Sequence, residues 1–354
     1  MVDEGEVAGM VFPDRDWLRA EPESQSLDSA RLDEAMEYIR HMLGEEERTN
    51  QESMVIRNGY LLWEGAEVGD KHVVYSATKA FTSTVFGVLR DQGKCDLDDY
   101  ACDYLPLLRE KYSGVTMRHF LTMTSGYRGS KEGGPLTPNE PLFEPGTKYI
   151  YNSAPAQFAN ALTRAAGEPL KDVFKRCIAD PIGMDPGEWS WGDYGEINGI
   201  LLNGGAGIGD TGMAISARQT ARMGHLFLNR GRWRDEQVIS EEWVAMATSV
   251  QVPVSVPPNS PKGWYIFFPG IYGMLWWVNG VNCEGTTFWA EATPGTCAIQ
   301  GGGGGACDNI CFVIPEWDMV VVRFGNDGTP GDYRVYNEFF KRLRAAFLEP
   351  GAGS

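Results

Sequence analysis

The sequence predicts an α/β protein of the α+β kind, with an antiparallel sheet flanked by helices and a mainly helical lobe inserted into it. Three observations lead there. Strand-like runs lie near both ends of the chain, at 54–63 and beyond 270; helical periodicity dominates the middle; and the chain closes on an amphipathic helix. If the terminal segments share one sheet, the middle becomes a second lobe, and the cleft between lobes is a usual place for chemistry.

Taken in order, residues 1–27 show little periodicity and read as an N-terminal extension. Leu32, Met36, Ile39 and Leu43 then share a helical face behind an Asp28/Ser29 cap. Met54 to Trp63 holds two apolar runs separated by Asn58-Gly59, a pair that tolerates positive φ and predicts a tight hairpin. Phe81, Val85, Val88 and Leu89 mark a helix over Ala77–Arg90, closed by Gly93. Residues 94–200 mix Gly/Pro-rich loops with helical stretches at Met117–Met123, Ala154–Ala166 and Leu170–Ile178, and few strands. Strands return at Gly273–Val278, Cys311–Ile314 and Met319–Phe324, the last two joined by a turn at Pro315–Asp318. Val335, Phe339, Leu343 and Phe347 form the apolar face of the last helix, and 351–354 is a loose tail. One catalytic domain over 28–350 is expected, with an α/β lobe from 28–75 and 201–350 and a helical lobe from 76–200.

Composition narrows the function classes. Hydrophobic content of 43% and charged content of 22% are those of an ordinary globular protein. With 31 basic against 48 acidic residues, the net charge of −17 opposes binding to nucleic acid or anionic membranes and favours solubility. No run approaches the ~20 apolar residues of a membrane span, and the opening Met1-Val2-Asp3-Glu4 lacks the basic start of a signal peptide, so a cytoplasmic location is expected. The seven cysteines are odd in number and lack disulfide-scaffold spacing; Cys283, Cys297, Cys307 and Cys311 cluster without a CxxC pair or adjacent histidine. Small buried strand residues explain them better than a metal site, and no cofactor is expected.

The chemistry is sought first at a nucleophile. Gly-x-Ser-x-Gly is absent, and His41, His72, His119 and His225 are scattered, His119 and His225 within apolar helical runs that suit structural histidines. Tyr75-Ser76-Ala77-Thr78-Lys79 contains the chain's one Ser-x-x-Lys, at a loop entering a helix. At i and i+3 the two side chains share a face, and the helix N-terminus disfavours a nearby cation, pushing the lysine toward the neutral amine a base requires. Such a lysine can activate serine without histidine. Alone, the motif reads better as a capping serine followed by a solvated lysine, and the wider sequence must decide.

Wider stretches add to that reading. They are Met117 to Tyr127 (MRHFLTMTSGY), Glu144 to Ser153 (EPGTKYIYNS), Pro181-Ile182-Gly183-Met184, Leu226 to Trp233 (LFLNRGRW) and Val313 to Val322 (VIPEWDMVVV). With the hairpin before Ser76 they resemble, in this order and from about residue 30 to 348, the β-lactamase-related serine hydrolases: class C β-lactamases, D-alanyl-D-alanine carboxypeptidases and family VIII carboxylesterases. The resemblance implies the β-lactamase/transpeptidase-like (penicillin-binding-protein) fold, an acyl-enzyme on Ser76, and Tyr151 as a proton-shuttling partner from a Tyr-x-Asn motif. Here that motif reads Tyr151-Asn152-Ser153, with the asparagine one place early, and Asn152 and Ser153 become substrate-binding candidates. Either Lys79 or Tyr151 could then be the acylation base.

The family's third motif, a Lys or His before Thr/Ser and Gly, is expected about ten residues before Val313. Counting back reaches Gly303-Gly304-Gly305 without a cation. The run is either a flexible loop or a strand edge open to substrate, where the Ala306 amide would join that of Ser76 as an oxyanion hole. Without the cation, anionic β-lactams and peptides are less favoured than small neutral esters or amides. Trp189, Trp191, Trp276 and Trp277 are candidates for the cleft wall or for the core, and Trp189, Trp191 and Trp277 are carried forward as substrate-binding candidates. The leading expectation is a carboxylesterase-like hydrolase acting on a small ester. An amidase, peptidase or weak β-lactamase, and a catalytically silent scaffold, are the alternatives.

Overall fold

The computed structural model describes residues 10–41, 52–128, 138–259, 268–302, 308–325 and 335–348. Six strands from the two ends of the chain make one antiparallel sheet: β1 (Glu52–Arg57), β2 (Tyr60–Glu64), β3 (Trp277–Val278), β4 (Cys297–Gly302), β5 (Asp308–Ile314) and β6 (Met319–Phe324), in the order β3-β4-β5-β6-β1-β2. The join between the ends is β1 on β6, in register from Glu52 opposite Phe324 to Arg57 opposite Met319. Asn58 and Gly59, at φ +52° and +83°, turn β1 into β2 as their residue types require.

Helices cover both faces. On one, α1 (Ser29–His41) packs on the last helix, Val335–Ala345, whose Tyr336 and Phe340 rings lie 5.1 and 4.9 Å from Phe312 of β5. Cys311 points the other way, to the helix Ala217–Leu228, where Gly224 lets the helix close on the sheet: an added Cβ would stand 2.8 Å from Cys311 Sγ and 2.7 Å from Val320 Cγ1. Because both faces are covered, β5 is buried throughout, and after Asp308-Asn309 its residues Ile310–Ile314 read as an apolar run rather than an alternating one. The helix Thr78–Asp91 is buried at twelve consecutive positions, Thr78 to Leu89, with Phe81 against Phe174 and Phe86 against Phe158 of the helix Pro155–Ala166. It forms the spine on which the helical lobe assembles.

Several expectations change. Residues 10–27 are packed on the fold rather than ahead of it: Arg19 bridges Leu61, Trp17 is buried against His225, and Arg222 donates to the Asp14 and Arg15 carbonyls. Within 94–200, where few strands were expected, Trp189–Trp191 joins Met213–Ile215 and His72–Val73 in a small sheet, and Asp193–Ile197 forms a hairpin with Ile200–Asn203. Strands of two to five residues are too short for periodicity to reveal, and their pairing is non-local. Gly273–Val278 contributes only Trp277–Val278 to the sheet, because Leu275, at φ +62°, turns the chain so that Gly273 N–H reaches the Trp276 carbonyl at 2.9 Å. The helix expected over Leu170–Ile178 is α-helical to Phe174 and continues as a π turn over Lys175–Ala179.

Candidate active site

Ser76 sits in the single 3-10 turn Tyr75–Ala77 that leads into the helix Thr78–Asp91. Tyr75, just before it, has φ +48°, a left-handed conformation that costs a non-glycine residue of order 1 kcal/mol and is held here by its surroundings. On one side, β4 presses on the turn: a Cβ at Gly301 would stand 2.0 Å from the Ala77 nitrogen and 2.7 Å from that of Ser76. On the other, the segment 204–212 closes in. Gly301 therefore lets a sheet strand run directly beside the Ser76 amide.

Lys79 lies one turn on, 3% exposed, with Nζ 2.7 Å from Ser76 Oγ and 3.1 Å from the Ala206 carbonyl. Burial alone pulls its pKa down to about 7, so near neutrality a large fraction of the amine is unprotonated. In the charged form Lys79 donates to Ser76 Oγ; in the neutral form its lone pair can take the serine proton at the same distance. Tyr151 completes the group. Its hydroxyl is hydrogen-bonded to Ser76, its ring lies 4.8 Å from Lys79 Nζ, and burial pushes its pKa up to about 12 in spite of that hydrogen bond. A serine hydroxyl, a buried amine and an un-ionised phenol are thus within contact of one another, an arrangement that can move one proton among three oxygen and nitrogen atoms.

The other sequence candidates fall in different places. Trp277 stands 5.2 Å from the Tyr151 ring, with Tyr272 and Phe288 beside it, and so lines the same group. Trp189 and Trp191 both pack on Phe174, and the Trp191 indole N–H donates to the Gly204 carbonyl at 2.8 Å. Trp276 is fully buried against Phe227. Asn152 is engaged by backbone at both ends of its amide, donating to the Tyr127 carbonyl at 2.7 Å and accepting from Ala154 N at 2.8 Å. Its role is to fasten the Tyr151 segment to the neighbouring loop and start the helix Pro155–Ala166. Ser153 is half-buried beside it, its carbonyl accepting from Ala156 N. Gly303, Gly304, Gly305 and Ala306, with Cys307, lie outside the described residues. Of the glycine run, Gly301 and Gly302 belong to β4.

The histidines take structural partners. His119 Nδ1 accepts from Thr116 N in a capping box; His225 is buried against the Val11 carbonyl, and burial pulls its pKa down to about 4. His72 meets Glu52 at 2.7 Å. Among the described residues no cluster of His, Cys, Asp and Glu could hold a metal ion, six cysteines are free, and no helix is long and apolar enough to cross a membrane.

The beta-lactamase family model matches residues 54–346, which span the sheet, the helical lobe and the Ser76 turn. The chain belongs to the beta-lactamase family. Proteins similar to it carry different names and activities. The 6-aminohexanoate-dimer hydrolase of Paenarthrobacter ureafaciens is 24% identical over 335 residues, 82% of each chain. The structure of EstCE1, a hydrolase with promiscuous acyltransferase activity, superposes with a TM-score of 0.64 at 18% identity over 91% of this chain and 99% of that one. A beta-lactamase from Mycobacterium bovis superposes with a TM-score of 0.59 at 18% identity, over 84% and 94%. The proteins it is similar to thus include a 6-aminohexanoate-dimer hydrolase, a hydrolase with promiscuous acyltransferase activity and a beta-lactamase.

Two features of the site carry no signature in the sequence. The Ala206 carbonyl is a backbone atom brought to Lys79 from 127 positions away. Gly301 lies two residues before the glycines chosen by counting, and only its contact with the Ser76 turn singles it out.

Proposed function

We propose that this family member is a serine hydrolase that forms an acyl-enzyme on Ser76 and acts best on small neutral esters. The observation that carries the proposal is the 2.7 Å contact between Ser76 Oγ and a buried Lys79 whose pKa lies at about 7. A scaffold protein would have no use for a buried amine aimed at a serine, since burying it works against stability.

In the first half-reaction Ser76 Oγ attacks the carbonyl carbon of the ester and its proton passes to Lys79 Nζ. The developing oxyanion is met by the Ser76 amide, and the second amide proposed for it is that of Ala306, which lies outside the described residues. As the C–O bond to the alcohol breaks, Tyr151 delivers a proton to the departing oxygen and is reprotonated through Lys79. Water repeats the cycle in reverse, giving its proton to the Tyr151–Lys79 pair and its oxygen to the acyl carbon, and the proton returns to Ser76 Oγ.

The preference for neutral esters rests on what surrounds this group. The described end of β4 reads Gln300-Gly301-Gly302 and has no cation to hold a carboxylate, the Asn152 amide is occupied by backbone, and Trp277 and Tyr272 make the wall beside Tyr151 apolar. Amide hydrolysis is the second reading, supported by the 6-aminohexanoate-dimer hydrolase relative. Trp189 and Trp191, which pack on Phe174, are not assigned to substrate. Steady-state rates on a p-nitrophenyl butyrate, the matching anilide and a chromogenic cephalosporin test the order: kcat/KM should be highest for the ester, and a lactam or anilide in first place would overturn the preference.

A further inference from the structure

Between the small-sheet hairpin and the strand Met213–Ile215 runs Gly204-Gly205-Ala206-Gly207, wedged between the nucleophile turn and the helix Pro155–Ala166. Three consecutive carbonyls of this segment each meet a side-chain donor. Gly204 accepts from Trp191 Nε1 at 2.8 Å, Gly205 lies 3.2 Å from Thr82 Oγ1, and Ala206 accepts from Lys79 Nζ at 3.1 Å. Close approach needs the glycines. A Cβ at Gly205 would stand 2.6 Å from the Pro155 carbonyl, and one at Gly207 would stand 1.7 Å from that of Tyr75, where φ is +69° besides. Thr78 ties down the far side, its hydroxyl accepting from Met213 N at 2.9 Å.

We infer that Gly204–Gly207 is a backbone ledge that positions Lys79 for proton transfer, with Gly207 and Trp191 as its positioning residues. The inference rests on the proposed role of Lys79 and adds how that lysine is held. With Ser76 Oγ and the Ala206 carbonyl as its two hydrogen-bond partners, the amine has a fixed direction along which to exchange the serine proton. The titratable group facing it is Tyr151, whose ring lies 4.8 Å away, and no carboxylate contributes to its shift. The Ala206 carbonyl stabilises the protonated amine, so withdrawing it favours the neutral form. A methyl group at Gly207 cannot coexist with the Tyr75 carbonyl, so the ledge must move and take Ala206 with it.

The test is Gly207→Ala together with Trp191→Phe, which keeps an aromatic ring on Phe174 but removes the donor to Gly204. Both are read by the pH profile of ester hydrolysis and by NMR titration of the 13C-labelled Lys79 ε-carbon, assigned with Lys79→Met. Expected are a fall in kcat of about tenfold to a hundredfold for Gly207→Ala, a smaller fall for Trp191→Phe, little change in KM, and a Lys79 titration displaced to lower pH in both. If Gly207→Ala does not fold, Trp191→Phe decides alone. An unmoved Lys79 titration in the folded variants overturns the inference. The titration is read without turnover, so a wild-type protein that never acylates would count against the proposed function and not against the ledge.

Discussion

Lys79 is held near neutrality by burial, and two consequences follow at the scale of single residues. As a base it must be unprotonated, so kcat/KM for a neutral ester should rise about tenfold per unit of pH below about 7 and level off above it, with no loss from Tyr151 until near pH 12. Initial rates against pH check this, and a flat profile through neutrality would exclude Lys79 as the titrating base. The same burial bears on stability. Because the folded-state pKa lies below the unfolded value of about 10.4, the unfolded chain holds a proton that the folded chain has released. Stability therefore rises with pH between about 7 and that value. Lys79→Met removes this dependence and should raise the melting temperature at pH 7 by a few degrees while lowering turnover by about 10²–10⁴. Ser76 and Lys79 were legible in the sequence because their relation is local, one turn of helix. Tyr151 was legible only through family resemblance, since its approach depends on the whole middle lobe. Ala206, acting through its carbonyl, left no trace, because any residue carries one.

Among elements, the one that sets the site is β4. Its backbone passes so close to the Ser76 turn that Gly301→Ala puts a carbon 2.0 Å from the Ala77 nitrogen. The expected result is a fall in acylation rate of roughly a hundredfold and a loss of about 1–3 kcal/mol in stability, measured by stopped-flow acylation and thermal melting. A second element-level tie is His72 on Glu52, which joins the strand before Ser76 to β1 at 2.7 Å. Burial, the largest single influence, pulls the His72 pKa down, but the Glu52 hydrogen bond and charge with the Val73 carbonyl outweigh it, and the imidazole is held above its ordinary value. The pair therefore adds stability that is fully present below about pH 6.5 and is lost as pH rises through the raised value. His72→Gln should cost roughly 1.5–3 kcal/mol at pH 5.5 and distinctly less at pH 9, by denaturant titration. The long elements could be read from periodicity and turn chemistry, as Asn58-Gly59 and Met319–Phe324 illustrate. The strands of two to five residues at 72–73, 189–203 and 213–215 could not, because tertiary pairing and not local pattern makes them.

Across the whole molecule, the sheet is completed only when β6 from the C-terminal end pairs with β1 from the N-terminal end, and Phe347, just past the last helix, bridges to Leu27. Strands at both ends and helices between were enough to anticipate this closure. What could not be anticipated is that residues 10–27 are part of it, since Trp17 and the backbone of Asp14 and Arg15 are held by Arg222 and His225 rather than by any periodic face. The net charge of −17 also acts at this scale. An anionic ester should have a lower kcat/KM than its neutral isostere at low salt, and the gap should narrow as ionic strength rises and screening sets in; a gap independent of salt would place the discrimination in the site itself.

Acylation of Ser76 is read by intact-protein mass spectrometry. Wild type and Ser76→Ala would be incubated with a p-nitrophenyl ester, a fluorophosphonate and a penicillin. Expected is an added mass on the wild type with the ester-like reagents, carried by the peptide containing Ser76 and absent from Ser76→Ala. An adduct that persists in Ser76→Ala, or none on the wild type with any reagent, would contradict it.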